Sequence, residues 1–274
     1  MHTTTVDTER RTHPLDPLSA EEITAARDHL VAAGRLGDTV RVAYLSLKEP
    51  AKELLRGAAA HPSRCARAIL LDTATGVTTD LVVDLERGAV VSETDVDSSL
   101  VGHAPVLIEE FEAIEAILAA DEGWIAALST RGLEPHQVRV APLSAGIFDY
   151  EGEEGRRLLR GLAFVQREPG DYAWGHPIDQ LVAFVDMIER RVVRIIDDGP
   201  SADPLANGNF ESPELTGPLR TDLKPLHITQ PEGPSFTLDG NVLRWQKWDL
   251  HVGFDAREGL VLSQIGIQDR GGRR

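Results

Sequence analysis

Cysteine is nearly absent from this chain, because Cys65 is the only one among 274 residues. A lone thiol cannot form an internal disulfide, which excludes the disulfide-stapled folds typical of small secreted proteins. Cys65 lies between Arg64 and Arg67, whose charges could lower the pKa of the thiol. With no partner thiol and no motif around it, we interpret Cys65 as an incidental cysteine.

Long apolar runs and positive charge are also in short supply. No run approaches the roughly 20 apolar residues that a membrane-spanning helix needs, and the N-terminus lacks the apolar core of a signal peptide. The 28 basic residues are outnumbered by 44 acidic ones, which gives a net charge of −16. Such a charge repels phosphate backbones. We therefore expect a cytoplasmic protein with no nucleic-acid partner and no membrane partner.

The familiar catalytic and ligand-binding motifs are missing as well. None of the nine histidines lies two, three or four residues from another, so no single helix or strand presents a metal-binding pair. A site assembled from distant histidines stays open. The sequence has no phosphate-binding loop, and Leu-Ser-Ala-Gly at 143–146 lacks the leading glycine of a serine-hydrolase elbow. Adjacent carboxylates such as Glu109 and Glu110 favour a solvated face over an acid/base pair.

What the sequence does contain is the periodic pattern of an α+β protein. In residues 14–100, Ser19 and Glu22 form a helix-starting capping box, and Gly34 ends the helical apolar periodicity. A short helix is predicted at 50–60. Strand-like segments lie at 39–47, 66–71, 81–85 and 89–93. The pattern predicts a small domain built from one helix and a four-stranded antiparallel sheet.

The same order of elements recurs in residues 104–200. Pro105 opens a predicted helix whose apolar face includes Phe111, and a second short helix is predicted at 121–129. Strand candidates follow at 138–142, 158–166, 181–186 and 192–196. We interpret the two segments as two copies of one architecture, on element order alone, because their sequence identity is low.

Three further segments lie outside these two domains. Residues 1–12 are polar and aperiodic, which predicts a disordered lead-in, and 201–237 form a linker rich in proline and glycine. Residues 238–274 begin as a β-hairpin with strand-like rows at 242–254 and 259–267. An isolated hairpin is marginal in water and would expose Trp245 or Trp248. We therefore expect another chain, or the rest of a larger sheet, to cover it.

Several stretches of the sequence closely resemble the bacterial copper amine oxidases. In the second domain they are Ala-Pro-Leu-Ser-Ala-Gly at 141–146, Arg-Gly-Leu-Ala-Phe-Val at 160–165 and Ala-Trp-Gly-His-Pro-Ile at 173–178. The opening His-Pro-Leu-Asp-Pro-Leu at 13–18 and the tail Trp-Gln-Lys-Trp-Asp-Leu-His-Val-Gly-Phe at 245–254 fit the same family. The matches follow the family order over essentially the whole chain after residue 12.

The resemblance implies a fold and a reaction. In this family two small α+β domains precede a long catalytic β-sandwich, and the enzymes are homodimers. Residues 14–100 and 104–200 would be the small domains, and 238–274 the truncated start of the sandwich. Members oxidise primary amines to aldehydes and release ammonia and hydrogen peroxide, using copper and topaquinone, which forms from a tyrosine of the protein. The implied partners are a primary amine and either a second copy of the chain or a separate catalytic chain.

The residues that carry this chemistry in the family have no counterparts here. The cofactor tyrosine lies in an Asn-Tyr-Asp/Glu motif, which none of Tyr44, Tyr150 and Tyr172 fits. The His-x-His pair of copper ligands is absent, and the family's catalytic aspartate lies downstream of residue 274. We therefore expect no catalytic residue, no metal and no cofactor in this chain, and no activity from the chain alone.

The resemblance does carry over part of the wall of the substrate channel. In the family the second small domain contributes apolar residues to the path by which the amine enters. The matching positions are Phe111, Ala141, Pro142, Leu143 and Trp174. For Phe111 the competing interpretation is burial on the helix face. For Trp174 ordinary packing competes less, because its loop is polar and bounded by proline.

Two hypotheses of different kinds remain after this comparison. The leading one is the N-terminal fragment of a copper-dependent primary-amine oxidase, truncated by a frameshift, a gene split or the choice of expressed segment. The alternative is a non-enzymatic two-domain binding or scaffold protein, or one half of a split oxidase. An unrelated α+β ligand-binding protein would require the matches to be coincidental.

Overall fold

The computed structural model describes residues 13–56, 62–148, 150–202 and 208–274. The predicted lead-in at 1–12 therefore lies outside the described residues. The chain forms two compact units, one within Met1–Leu70, Thr79–Thr94 and Leu226–Arg274 and the other within Leu71–Thr78 and Asp95–Pro225. No described helix is both long enough and apolar enough to cross a membrane.

The first helix begins as its sequence predicts. Helix α1 spans Ala20–Ala32, and the Ser19 hydroxyl accepts a hydrogen bond from the Glu22 amide at 3.2 Å. The Glu22 carboxylate accepts one from the Ser19 amide at 2.9 Å, so the predicted capping box is confirmed. The short helix α2, Lys52–Arg56, falls within the predicted 50–60, of which 57–60 lie outside the described residues.

The first sheet contains four antiparallel strands in the order β1-β2-β3-β4. They are β1 Val40–Lys48, β2 Cys65–Asp72, β3 Thr78–Asp84 and β4 Ala89–Asp95. Alternate residues of β2 and β3 face α1 and form a buried core with it, made of Ala26, Leu30, Ala66, Ala68, Leu70, Leu81 and Val83.

The second domain repeats this plan with two helices. After the short α3, Ser98–Val101, come α4, Ile108–Ala119, and α5, Glu122–Ser129. The sheet order is β5-β6-β7-β8, with β5 Val138–Ser144, β6 Leu158–Val165, β7 Pro177–Asp186 and β8 Arg191–Asp197. Short 3-10 turns lie at Pro135–Gln137 and Ala173–Gly175. The predicted start of α4 at Pro105 is wrong by three residues, because the Leu107 amide donates to the Glu110 carboxylate and places the N-cap at Leu107.

The two domains share an ion pair at equivalent positions. Glu22 and Glu110 are each the third residue of the first long helix in their domain. Arg64, just before β2, donates to both Glu22 oxygens at 2.5 and 2.8 Å. Arg157, just before β6, donates to both Glu110 oxygens at 2.6 and 2.7 Å. Each arginine also donates to main-chain carbonyls of the segment that leads into its helix.

A second equivalence lies at the turn after the third strand of each sheet. Asp84 Oδ1 accepts from the amides two and three residues further on, both at 3.0 Å. Asp186 Oδ1 does the same at 3.0 and 2.9 Å. The carbonyls of Arg64 and Arg157 each accept, at 3.0 Å, from the residue that follows this aspartate. These matched contacts support the interpretation of two copies of one architecture.

The C-terminal part forms a third sheet, which has five strands among the described residues, in the order β13-β12-β11-β10-β9. They are β9 Phe236–Asp239, β10 Val242–Trp245, β11 Trp248–Asp255, β12 Gly259–Asp269 and β13 Gly272–Arg273. The short helix α6, Pro213–Thr216, lies within the predicted linker, of which 203–207 are not described.

The predicted strand at 242–254 is wrong, because the chain turns in its middle. Trp245 pairs with Trp248 across a two-residue loop, where Gln246 takes a φ of 54°. The loop residues Gln246 and Lys247 include no glycine or asparagine, so no local signal marked this turn. The predicted exposure is confirmed, since Trp245 is 45% and Trp248 42% exposed.

Candidate functional site

The second sheet has one face against the helices and one face turned away from them. Val140 pairs with Ala163, and both lie in the core formed with α4 and α5. Because side chains alternate along a strand, their neighbours point to the opposite side. We call this side the open face; its positions are Arg139, Ala141, Leu143, Arg160, Leu162, Phe164, Val182, Phe184, Arg194 and Ile196.

Aromatic rings surround the two central arginines of the open face. The Arg160 guanidinium lies 5.3 Å from the Phe148 ring centroid and 5.9 Å from that of Phe184. The Arg194 guanidinium lies 4.0 Å from the Phe184 centroid and pairs with Glu153 at 2.5 Å. These contacts hold both cations in place and give this part of the face an amphipathic character.

Three of the predicted channel residues are consecutive on β5, but the structure divides them. Ala141 and Leu143 lie on the open face, and Leu143 is 52% exposed. Pro142 lies between them, is buried and pairs with Gly161 on the helix-facing side. The strand alternation therefore presents two of the three residues together, and the channel role of each stays a prediction.

The other two predicted channel residues lie in different layers. Trp174, in the turn Ala173–Gly175, is 50% exposed and stands edge-on to Phe164 at 4.9 Å between ring centroids. A buried hydrogen bond of 2.9 Å between His176 and Asp171 braces its loop. Phe111 lies on α4 and is 45% exposed, so the helix core does not enclose it. The exposure of Phe111 argues against the interpretation as a buried helix-face residue.

A second constellation, in the first unit, joins residues far apart in sequence. His251 on β11 lies 2.8 Å from Asp16, through Nε2 and Oδ1, and the two are 235 positions apart. The same Oδ1 accepts from Asn241 at 3.0 Å, and Oδ2 accepts from the His13 amide at 2.8 Å. The His13 ring stacks on His251 with 4.5 Å between centroids. One ligand atom each of His13, Asp16 and His251 lies within 4.8 Å of the others.

The surroundings set the charges of this His13–Asp16–His251 cluster. Burial lowers the pKa of His13, with help from the charges of His251 and Arg64 and against the pull of Asp16. Burial opposes ionisation of Asp16, but hydrogen bonds from His251, the His13 backbone and Asn241 outweigh it and lower its pKa. At neutral pH His13 is therefore uncharged and Asp16 is an anion. Sequence reasoning left a site of distant histidines open, but only the folded chain identifies its members.

A cavity of about 300 Å³ adjoins this cluster and is lined on one side by His251, Leu15 and Pro17. On the other side the Tyr44 hydroxyl donates to Asp255 at 2.8 Å. Burial raises the pKa of Asp255, but hydrogen bonds from Ser46, Tyr44 and two backbone amides outweigh it and lower the pKa to about 2. The cavity therefore has a fixed negative charge in its wall.

The sequence lacks the motifs that hold copper and form topaquinone in the resembling family. In the described parts of the chain, the cluster of His13, Asp16 and His251 is the one group of three potential ligands that come together. It contains two histidines from different segments rather than a His-x-His strand pair. The three tyrosines lie in Ala-Tyr-Leu, Asp-Tyr-Glu and Asp-Tyr-Ala contexts, none of which is the quinone motif.

Family models and known proteins match successive parts of this chain. The model of the AGAO-like N2 domain matches residues 19–93, that of the copper amine oxidase N3 domain matches 109–211, and that of the copper amine oxidase enzyme domain matches 237–274. Histamine oxidase of Arthrobacter globiformis is 55% identical over 262 residues, 96% of this chain and 38% of that protein. Primary amine oxidase of Klebsiella aerogenes is 32% identical over 281 residues, 98% of this chain and 36% of that protein.

Solved structures share the fold. A copper-containing benzylamine oxidase from Hansenula polymorpha matches with a TM-score of 0.75 at 22% identity, over 94% of this chain and 43% of that one. An amine oxidase from Aspergillus nidulans matches with a TM-score of 0.55 at 15% identity, over 92% and 40%. The chain spans less than half the length of these proteins. The ordered domain matches show that it belongs to the copper amine oxidase family and corresponds to the N-terminal portion of its members.

Proposed function

We propose that this chain is the N-terminal part of a copper-dependent primary-amine oxidase, and that it supplies scaffold and channel wall but no reaction centre. The reaction of the whole enzyme converts an amine, dioxygen and water to an aldehyde, ammonia and hydrogen peroxide. The observation that carries this proposal is the succession of three domain matches from one enzyme family in a single chain.

The motifs that are missing from the sequence support the proposal that the reaction centre lies in another part of the enzyme. No copper-ligand pair and no quinone tyrosine motif occurs in the sequence, so both would come from another part of the enzyme. The chain binds no family cofactor by this account, and its own residues act by position and contact. The cytoplasmic location stays a prediction.

The channel wall is assigned to the open face of the second sheet and the Trp174 loop. Leu143 and Trp174 each offer a half-exposed apolar surface, 52% and 50% exposed, although they stand on different elements. An amine in its channel needs apolar walls that exclude water from its carbon chain. Ala141 and Phe111 are assigned to the same wall by resemblance. Pro142 contributes to this wall only through the strand itself, because its side chain is on the helix-facing side of the sheet.

The third sheet supports the scaffold part of the proposal. Its exposed apolar side chains include Leu238, Trp245, Phe254, Leu260 and Leu262, all at least 45% exposed. An apolar surface of this kind is favoured when another surface covers it. The occupant we propose is the remainder of the catalytic domain, with homodimerisation as in the family.

A domain exchange tests the proposal. The 262-residue segment of the Arthrobacter globiformis histamine oxidase that matches this chain at 55% identity is replaced by this chain, and peroxide release is followed with histamine and methylamine. We expect an active chimera with the copper and quinone content of the parent. A matched chimera with the triple change Phe254→Asp, Leu260→Asp and Leu262→Asp should not assemble. A chimera that folds and loads copper but never oxidises an amine would contradict the proposed role.

A further inference from the structure

We propose that His13, Asp16 and His251 form a binding site for a divalent transition-metal ion of the zinc class. The proposal does not depend on the proposed oxidase function. It rests on a cluster in the first unit that joins the turn before α1 to strand β11.

The donor set determines the class of ion. Two imidazole nitrogens and one carboxylate oxygen suit Zn²⁺ and its neighbours in the first transition row, whereas Ca²⁺ and Mg²⁺ prefer oxygen ligands only. Bonds of about 2.0–2.1 Å around a tetrahedral ion place the ligand atoms about 3.3 Å apart. The three ligand atoms already lie within 4.8 Å of one another.

The carboxylate is held in position by groups that do not compete with the ion. Asn241 donates to Oδ1 of Asp16 at 3.0 Å, and the His13 amide donates to Oδ2 at 2.8 Å. Such outer contacts orient a metal ligand and raise affinity. The ion would replace the contact between His251 Nε2 and Asp16 Oδ1 and bind the neutral imidazole, so the proton on Nε2 would move to Nδ1 by exchange with water.

His251 and His13 contribute differently. The His251 residue is 2% exposed and stays in place on β11. The rings stack with an interplanar angle of 21°, so their lone pairs do not converge, and the His13 ring has to rotate to share an ion. This rotation breaks the 3.1 Å hydrogen bond from the Leu15 amide to His13 Nδ1. His13 is partly exposed and precedes the turn that leads into α1.

The neighbouring cavity gives the ion access to the site and offers space for a water molecule as the fourth ligand. It has a volume of about 300 Å³ and is lined by His251, and it also touches Leu15 and Pro17 of the turn. Three protein ligands with an open position are typical of accessible zinc sites, in which water completes the tetrahedron.

Isothermal titration calorimetry of the 274-residue chain tests the site, with ZnCl₂ as the probe after removal of metal by a chelator. We expect one saturable ion per chain and at least about tenfold weaker binding in His13→Asn and in His251→Gln. The control is His136→Asn, because His136 is exposed in the second unit. Co²⁺ in place of Zn²⁺ should give the visible absorption of a tetrahedral site with nitrogen and oxygen ligands.

The variants separate this site from other zinc ligands. His251→Gln replaces a buried side chain, so circular dichroism is used to check that this variant folds. If it does not fold, the result for His13→Asn decides the question. Cys65→Ser should bind as the wild type does. The proposal would be overturned if the wild type showed no saturable Zn²⁺ binding or if His13→Asn bound Zn²⁺ as tightly as the wild type. Loss of binding in Cys65→Ser or in His136→Asn would also overturn it.

Discussion

Arg157 holds Glu110 through two hydrogen bonds in the interior of the second unit, where the two side chains are only 3% and 9% exposed. Arg64 and Glu22 repeat the contact in the first unit, at 12% and 23% exposure. In each case the pair ties the first turn of a helix to the start of the second strand. Two segments with little sequence identity have thus kept the same internal brace.

The buried pair gives the first prediction. Glu110→Ala leaves the Arg157 guanidinium buried without its anion, so the free energy of unfolding should fall by about 3–5 kcal/mol. Urea denaturation followed by tryptophan fluorescence, to which the buried Trp124 of the second unit contributes, measures this loss. Asp28→Ala, which breaks the exposed pair with Arg27, is the control and should leave the midpoint unchanged. Equal effects of the two variants would contradict the proposed importance of the buried pair.

A close approach between the second sheet and α4 gives another prediction. A Cβ on Gly161 would meet Leu118 Cδ1 at 3.0 Å and Val140 Cγ1 at 3.1 Å, so Gly161→Ala should destabilise the protein by about 1–3 kcal/mol through overpacking. Gly170→Ala is the matched control, since nothing lies within 4 Å of its added carbon. Thermal unfolding compares them, and a Gly161→Ala variant as stable as Gly170→Ala would refute the close packing.

The lowered pKa of Asp255 predicts that the folded protein loses stability in acid. This pKa is lowered from 3.8 to about 2 in the folded chain. A lowered pKa stabilises the folded state above the unfolded pKa, and this stabilisation disappears as the pH falls from about 4 towards 2. Because Asp255 is only partly shielded from water, we estimate its size at about 1 kcal/mol.

The variant Asp255→Asn tests this pH dependence. The difference in stability between wild type and variant should shrink by about 1 kcal/mol between pH 6 and pH 2. Tyr44→Phe removes one of the hydrogen bonds to the carboxylate and should reduce the shrinkage without abolishing it. Denaturation curves at a series of pH values measure both, and a difference that is constant with pH would contradict the low pKa.

The proposed channel wall predicts a dependence on substrate size. In the active chimera, Trp174→Ala should lower kcat/KM for histamine by about tenfold, because histamine loses a contact with this wall. The kcat/KM for methylamine should stay nearly the same, because only the larger amine reaches the wall. Leu219→Ala is the control, since Leu219 is 91% exposed and outside the proposed wall. Equal effects on both amines would argue for a loss of structure instead of a contact with substrate.

Periodicity predicted most of the elements, because local signals were strong there. The Ser19–Glu22 capping box and the strands predicted at 158–166 and 181–186 depend on neighbours in sequence, and the structure contains them in α1, β6 and β7. The turn at Gln246 was missed because its positive φ lacks the usual residue types. Extended pairing on both sides makes such a turn favourable without a local signal.

The candidate site was less predictable for a similar reason. The contact between Asp16 and His251 spans 235 positions, so no spacing rule could have revealed it. The division of Ala141 and Leu143 from Pro142 follows from strand alternation, which the family resemblance did not take into account. The resemblance identified the family correctly, whereas the side-chain directions required the folded structure.

The proposed function implies that this chain has no amine-oxidising centre of its own. The direct measurement is peroxide release by the purified 274-residue chain, incubated with Cu²⁺ and then supplied with histamine or methylamine. We expect no peroxide beyond that of Cu²⁺ and amine without protein. Peroxide formation that saturates with amine concentration and scales with the amount of chain would contradict it.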